Sequence, residues 1–235
     1  MIPVPDISPS RVRLLVSVRD AAEAALARVH GAGLIDAKDP DRGALGALPP
    51  ETVRAIVAAS GDRLTSAVAG EPHDGQEASA CLAALAGTGV RYLKIAWAPG
   101  RAAAGLMLPA GIPVIAVLFA EDGPEGADVP ALAAAGFSGA MIDTKGKDGR
   151  RLTDHLPLPR LASFAASCRA HGLLSGLAGS LSLDDIPDLA ALGPGYLGFR
   201  GGLCAQADRK GGLDPVRIAE AARRLAAVVP RSEAA

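Results

Sequence analysis

Eight short apolar runs, each followed by a segment of helical periodicity, recur along the chain at intervals of roughly 25 to 30 residues. The strand-like runs are expected at residues 13–18, 34–38, 64–69, 92–97, 112–119, 140–144, 173–178 and 196–199. Helical segments are expected after the cap Asp20, with Ala25, Leu26 and Val29 at helical spacing, and from Pro49-Pro50-Glu51, with Val53, Ile56 and Val57 on the apolar face. The remaining helices are expected over 77–86, 101–108, 129–135, 158–170, 183–192 and 215–228. Eight such units in 235 residues fit an α/β fold of the (β/α)8 TIM-barrel type, which typically needs about 250 residues. An open doubly wound sheet is the alternative. The echo between Ile35-Asp36-Ala37-Lys38 in the second unit and Ile142-Asp143-Thr144-Lys145 in the sixth favours the barrel, because positions four units apart face each other across a closed ring.

No linker rich in Ser, Pro or charge interrupts the chain, so residues 1–235 are read as one domain, with residues 1–12 as an irregular N-terminal extension. Hydrophobic residues make up 49% and aromatics only 3%, so the core is built from small aliphatic side chains. A formal net charge of -1 carries no electrostatic footprint for nucleic acid or an anionic membrane, and neither partner is expected. The longest apolar run, 114–120, is too short to span a bilayer, and the first residues do not read as a signal peptide. Cys81, Cys168 and Cys204 are an odd number without metal spacing, which points to a reducing cytoplasm. Composition leaves homo-oligomer formation open.

In a barrel of this kind the reactive groups stand at the C-terminal ends of the strands. Those positions hold Asp36, Lys38, Lys94, Asp143, Lys145 or Lys147, and Arg200. Only five of the 24 basic residues are lysines, so finding three at the mouth is notable in an arginine-rich chain. A guanidinium stays protonated, whereas a lysine among other cations in an apolar mouth can lose its proton and attack a carbonyl. The aspartates would then shuttle protons or hold the amines. The plainer alternative is that each lysine pairs structurally with its neighbouring aspartate or extends to solvent.

The turns after strands seven and eight, with Gly179 and Ser180 and with Arg200, Gly201 and Gly202, sit where barrels commonly bind a phosphate through backbone N–H groups. These glycines could equally serve tight turns. The histidines are dispersed without a second ligand at metal spacing, and Gly87-Thr88-Gly89 is no dinucleotide fingerprint, so neither metal nor cofactor is expected.

The run Ile35-Asp36-Ala37-Lys38-Asp39-Pro40 with Gly43-Ala44-Leu45-Gly46-Ala47 resembles the (5-formylfuran-3-yl)methyl phosphate synthase family. The resemblance extends through Leu14-Leu15-Val16-Ser17, Tyr92-Leu93-Lys94, Met141-Ile142-Asp143-Thr144 with Lys147-Asp148-Gly149, Leu177-Ala178-Gly179-Ser180, and Gly198-Phe199-Arg200-Gly201 with Cys204 and Asp208-Arg209. It departs before Val12 and at Ala98-Pro99-Gly100-Arg101. It implies a (β/α)8 barrel and a cofactor-free lyase that condenses two glyceraldehyde 3-phosphate molecules, with loss of phosphate and water, toward methanofuran-type one-carbon carriers. By position it implies Lys38 as the Schiff-base lysine and Lys94 as the proton acceptor, with Asp36, Asp143 and Lys147 completing the site. The resemblance prefers Lys147 where the internal echo prefers Lys145. Strand alternation alone leaves both open, as it leaves open an aldolase acting on another sugar phosphate or a non-catalytic barrel that binds a phosphorylated metabolite.

Overall fold

The computed structural model describes residues 11–98, 101, 103–146 and 149–228. Eight parallel strands close in sequence order: β1 Arg13–Val18, β2 Leu34–Ala37, β3 Leu64–Val68, β4 Tyr92–Ala96, β5 Val114–Phe119, β6 Gly139–Asp143, β7 Leu174–Leu177 and β8 Tyr196–Phe199, with β8 pairing back to β1. The helices are α1 Ala21–Val29, α2 Pro50–Ser60, α3 Gly75–Ala86, α4 Val129–Ala134, α5 Leu152–His155, α6 Leu158–Ala170, α7 Ile186–Ala190 and α8 Pro215–Ala227. The closed ring is the outcome expected from the eight-unit pattern. Of the expected extension, residues 1–10 lie outside the described residues.

Side-chain alternation along each strand divides the core in two. Outward residues such as Val16, Ile35, Leu93, Ile95, Leu118 and Ile142 pack against the helices. Inward residues, among them Leu15, Val68, Tyr92, Ile115, Met141 and Tyr196, fill the barrel. The filling is uneven. A Cβ at Gly176 would collide with the ring of Tyr196, so β7 gives up its side chain there to seat an aromatic from β8. Higher up, β7 and β8 present only Ala178 and Gly198, and the barrel opens on that side.

Local chemistry explains where the helices begin. Asp20 caps α1 by accepting from the Glu23 N–H at 2.8 Å, Asp74 caps α3 from Glu77 at 2.8 Å, and Asp214 caps α8 from Val216 at 2.8 Å. Helices α2, α6 and α8 start with proline in the first turn, where its missing N–H costs nothing.

One expected helix is absent. Residues 101 and 103–108 form no helix, and the crossover from β4 to β5 is irregular among the described residues. Gly105 takes φ +75°, the N–H of Met107 is claimed by the Ser79 hydroxyl at 2.7 Å, and the Ala104 carbonyl lies so close to Gly75 that a side chain there could not fit. The segment is thus packed on the start of α3 by contacts that override the helical propensity of its alanines. The helix expected over 183–192 is a 3-10 turn, Leu183–Asp185, followed by α7.

Candidate active site

The C-terminal mouth of the barrel encloses a cavity of about 450 Å³ whose floor carries Ser17, Asp36, Lys38, Lys94 and Asp143. Register explains how distant residues meet there. Ser17 on β1 pairs with Asp36 on β2, which pairs with Ser66 on β3, so three inward side chains stand abreast on neighbouring strands. Lys94 lies inside β4 rather than at its end, opposite Val68 of β3 and Ile115 of β5.

The lysines are paired across the barrel, not with their sequence neighbours. Lys94 Nζ lies 2.7 Å from Asp36 Oδ1, and both residues are sealed, at 2% and 0% exposure. Lys38 Nζ lies 3.5 Å from Asp143 Oδ2 on the opposite wall, and its side chain is 13% exposed toward the cavity. The plainer alternative, a structural pair between Lys38 and its neighbour Asp36, therefore does not form, although both side chains share a face as alternation requires. Burial lowers the Lys94 pKa from the usual lysine value; Asp36 opposes that shift, and the nearby Lys38 ammonium adds to it. Asp143 is further fixed by accepting the Thr144 N–H at 2.8 Å. Tyr196, beneath the carboxylates, is held well above the ordinary phenol value, first by burial and then by Asp36 and Asp143.

Lys145 is exposed on the rim, with its ammonium 5.5 Å from the Phe119 ring centre. It does not line the cavity floor, so the internal echo misdirects there: two residues beyond Asp143 the backbone has already left strand geometry. Lys147 lies outside the described residues.

The loops after β7 and β8 form a further part of the cavity wall. Gly179 at φ +116° and Ser180 at φ +49° both adopt backbone that L side chains disfavour, and a Cβ on Gly179 would meet Thr144 Cγ2 at 2.7 Å. The N–H groups of Gly179, Ser180, Gly201 and Gly202 donate to no described residue. That is the arrangement an anion could use. The guanidinium of Arg200 has another task. It donates to both oxygens of Glu23 and to the carbonyls of Ser17, Arg209 and Gly211, so all five of its N–H bonds are spent on the scaffold. Besides Arg200, the charged groups that line the cavity on this side are Arg209, which donates to the Gly43 carbonyl at 2.9 Å, Arg217, which donates to the Gly202 carbonyl at 2.8 Å, and the carboxylate of Asp208.

Sequence reasoning did not single out Ser17, Ser66, Glu23 or Arg217. The two serines carried a usable signal: they stand at inward positions of predicted strands, beside an inward aspartate. Glu23 carried none, since in sequence it is simply an acid in the first turn of a helix. Among the described residues, no three His, Cys, Asp or Glu side chains are arranged to hold a metal ion.

A family model described as 4-HFC-P synthase matches residues 14–222. A Methylorubrum extorquens protein, provisionally named (5-formylfuran-3-yl)methyl phosphate synthase, is 57% identical with both chains covered in full. The (5-formylfuran-3-yl)methyl phosphate synthase of Methanopyrus kandleri is 35% identical over 86% of this chain and 93% of its own. Among solved structures, 3-hexulose-6-phosphate synthase from Salmonella typhimurium superposes with TM-score 0.64 at 16% identity, covering 92% of this chain and 99% of that one. Phosphoribosyl anthranilate isomerase from Thermus thermophilus gives 0.61 at 20%, covering 92% and 98%; at such identities the likeness is one of fold. With the barrel closed, and with the family model and the named relatives spanning nearly all of it, the chain belongs to the (5-formylfuran-3-yl)methyl phosphate synthase family.

Proposed function

We propose that this protein is a lyase that condenses two molecules of glyceraldehyde 3-phosphate into (5-formylfuran-3-yl)methyl phosphate through an imine on Lys38, supplying the furan of a methanofuran-type one-carbon carrier. The observation that carries the reading is the crosswise pairing of two lysines with two carboxylates in one cavity. Lys94 is locked in a sealed ion pair, whereas Lys38 has the looser contact and faces open space.

The chemistry follows from these settings. The neutral Lys38 amine adds to the aldehyde carbon of one triose and expels water, which leaves a C=N bond as electron sink. Lys94, with its proton affinity reduced by burial, takes the proton from the adjacent carbon to give an enamine. The enamine expels phosphate from the third carbon, and the enol left behind adds through that carbon to the central carbon of the second triose, once that triose has isomerised to its ketone form. Ring closure, dehydration and hydrolysis of the imine release the furan and regenerate Lys38. For each furan, one inorganic phosphate and two waters leave in total. Asp36 and Asp143 orient the amines, and Lys147 is assigned by resemblance to the same site. The Gly179-Ser180 and Gly201-Gly202 backbones, with Arg209 and Arg217, are suited to hold the retained phosphate.

The test is direct. Purified protein given glyceraldehyde 3-phosphate alone is expected to develop the ultraviolet absorbance of a furan aldehyde, and borohydride trapping is expected to mark the peptide containing Lys38. Lys38→Arg should fold yet lose essentially all turnover, while Lys94→Arg should still be trapped at Lys38 and stall. A trapped adduct on Lys94 would reassign the nucleophile, and furan formation with no adduct on any lysine would end the imine mechanism.

A further inference from the structure

The Asp36 carboxylate has more partners than an ion pair needs. Oδ1 accepts both the Lys94 ammonium at 2.7 Å and the Ser66 hydroxyl at 2.6 Å, while Oδ2 accepts the Ser17 hydroxyl at 3.1 Å. All four residues are buried, and the cross-strand register that sets Ser17, Asp36 and Ser66 abreast leaves the two hydroxyls no other acceptor of equal strength. An ionised acceptor takes the strongest hydrogen bonds available to a serine, so both hydroxyl protons are committed to the carboxylate. We propose that Ser17 and Ser66 are positioning residues of this site: they clamp the Asp36 carboxylate from β1 and β3 and thereby set the pH at which Lys94 gives up its proton.

The sign follows from charge. Ser66 donates to the very oxygen that holds Lys94 and draws electron density from it, which loosens the grip of Asp36 on the ammonium proton. Ser17 stabilises the same anion through its other oxygen. Loss of either donor makes the carboxylate more basic, so the Asp36–Lys94 pair releases its proton at higher pH. The other titratable groups facing this pair are Lys38 just after β2, Tyr92 below Lys94 on β4, Asp143 from β6 and Tyr196 from β8, with Arg209 beyond Asp143 in the loop after β8. The inward positions of β3, β5 and β7 are Leu64, Ser66 and Val68, Ile115, Val117 and Phe119, and Leu174, Gly176 and Ala178, none of which titrates. None of the facing groups is altered by the serine substitutions, so a shift reports the clamp.

The inference rests on the role given to Lys94 above, and the experiment separates the two. Lysine labelled with carbon-13 reads the Lys94 titration without turnover: the chain has five lysines, and Lys94→Arg assigns the signal. In Ser66→Ala and in Ser17→Ala the Lys94 titration is expected to move upward by about one pH unit, the worth of one hydrogen bond to a charged group. The acid limb of kcat for furan formation should move with it and kcat at neutral pH should fall about tenfold, with KM within about threefold and the Lys38 adduct still formed. Ser17→Thr, which keeps the donor and borders the cavity, should restore both limb and titration. If the Ala variants melt at lower temperature but leave the Lys94 titration and the kcat limb in place, the serines are packing residues and the proposal is overturned. If the parent protein makes no furan while the Lys94 titration still shifts in the Ala variants, the clamp stands and the proposed reaction fails instead.

Discussion

At the scale of single residues, Arg200 shows why strand-end position does not by itself assign a role. It is the cation nearest the phosphate-type loops in sequence, yet its guanidinium is turned to Glu23 and to three carbonyls, so it shapes the loop after β8 from behind. Glu23 also accepts from Arg19, through its N–H at 2.9 Å and an ion pair at 3.3 Å, and Arg19 in turn donates to the carbonyls of Lys210 and Gly211, so one helical carboxylate holds both arginines that clasp residues 209–211. Glu23→Gln keeps the size and loses the charge. It is expected to raise KM for triose phosphate about tenfold and leave kcat within about threefold, because the loop shifts while the lysines stay. Saturation kinetics decide this, and a fall in kcat at unchanged KM would place Glu23 in the chemistry. The thiols are passive by the same reasoning. Burial pushes Cys168 up to about 12 and raises Cys204, whose Sγ donates to the Arg200 carbonyl at 3.3 Å. Replacing Cys81, Cys168 and Cys204 by alanine should keep turnover within about tenfold; a thousandfold loss in folded Cys204→Ala would contradict it.

Between elements, the loop that follows β6 is held by a carboxylate from the turn after β5. Glu121 accepts the N–H of Lys145 at 2.9 Å and of Gly146 at 2.7 Å, and His155 of α5 stands 3.9 Å away. Burial alone would raise the Glu121 pKa, but the Gly146 and Lys145 N–H groups outweigh it and leave the group below the ordinary carboxylate value. A depressed folded-state pKa means that the latch contributes above the unfolded value, near 4, and is lost as pH falls through the folded value. Amide exchange is therefore expected to show protected Lys145 and Gly146 at neutral pH, with protection factors collapsing below about pH 4 and at all pH values in Glu121→Gln. Unchanged protection in the variant would show that the turn holds itself.

For the whole molecule, the sealed Asp36–Lys94 pair is a liability to stability that the proposed imine chemistry would require. Lys94→Met leaves a carboxylate buried without its cation and is expected to cost about 3–5 kcal/mol in denaturant unfolding. Combining it with Asp36→Leu removes the second charge and should recover all but about 1–2 kcal/mol, the remainder coming from Ser17 and Ser66 losing their acceptor. The double variant should fold as the barrel and make no furan. A double variant no more stable than Lys94→Met alone would mean that the pair, rather than the surrounding packing, holds the strands in register.

Local patterning was enough for the alternation of strand and helix, the eight-unit ring and the face on which Asp36, Lys38, Lys94 and Asp143 stand, because period-two and period-3.6 patterns are local and each strand carries its own copy. It also pointed to Gly179 and Gly201, since a glycine after a strand is a local backbone permission. Partnership was decided only by the tertiary structure. Lys38 bonds Asp143, 105 positions away, Lys94 bonds Asp36 two strands over, and Arg200 answers to Glu23 across 177 positions. Such pairings depend on strand stagger and on how far a long side chain reaches across the barrel, quantities that no local pattern encodes. The failed helix at 101–108 has the same origin: alanines favour helix in isolation, and Gly75, Ser79 and a left-handed Gly105 on the assembled surface overrule them.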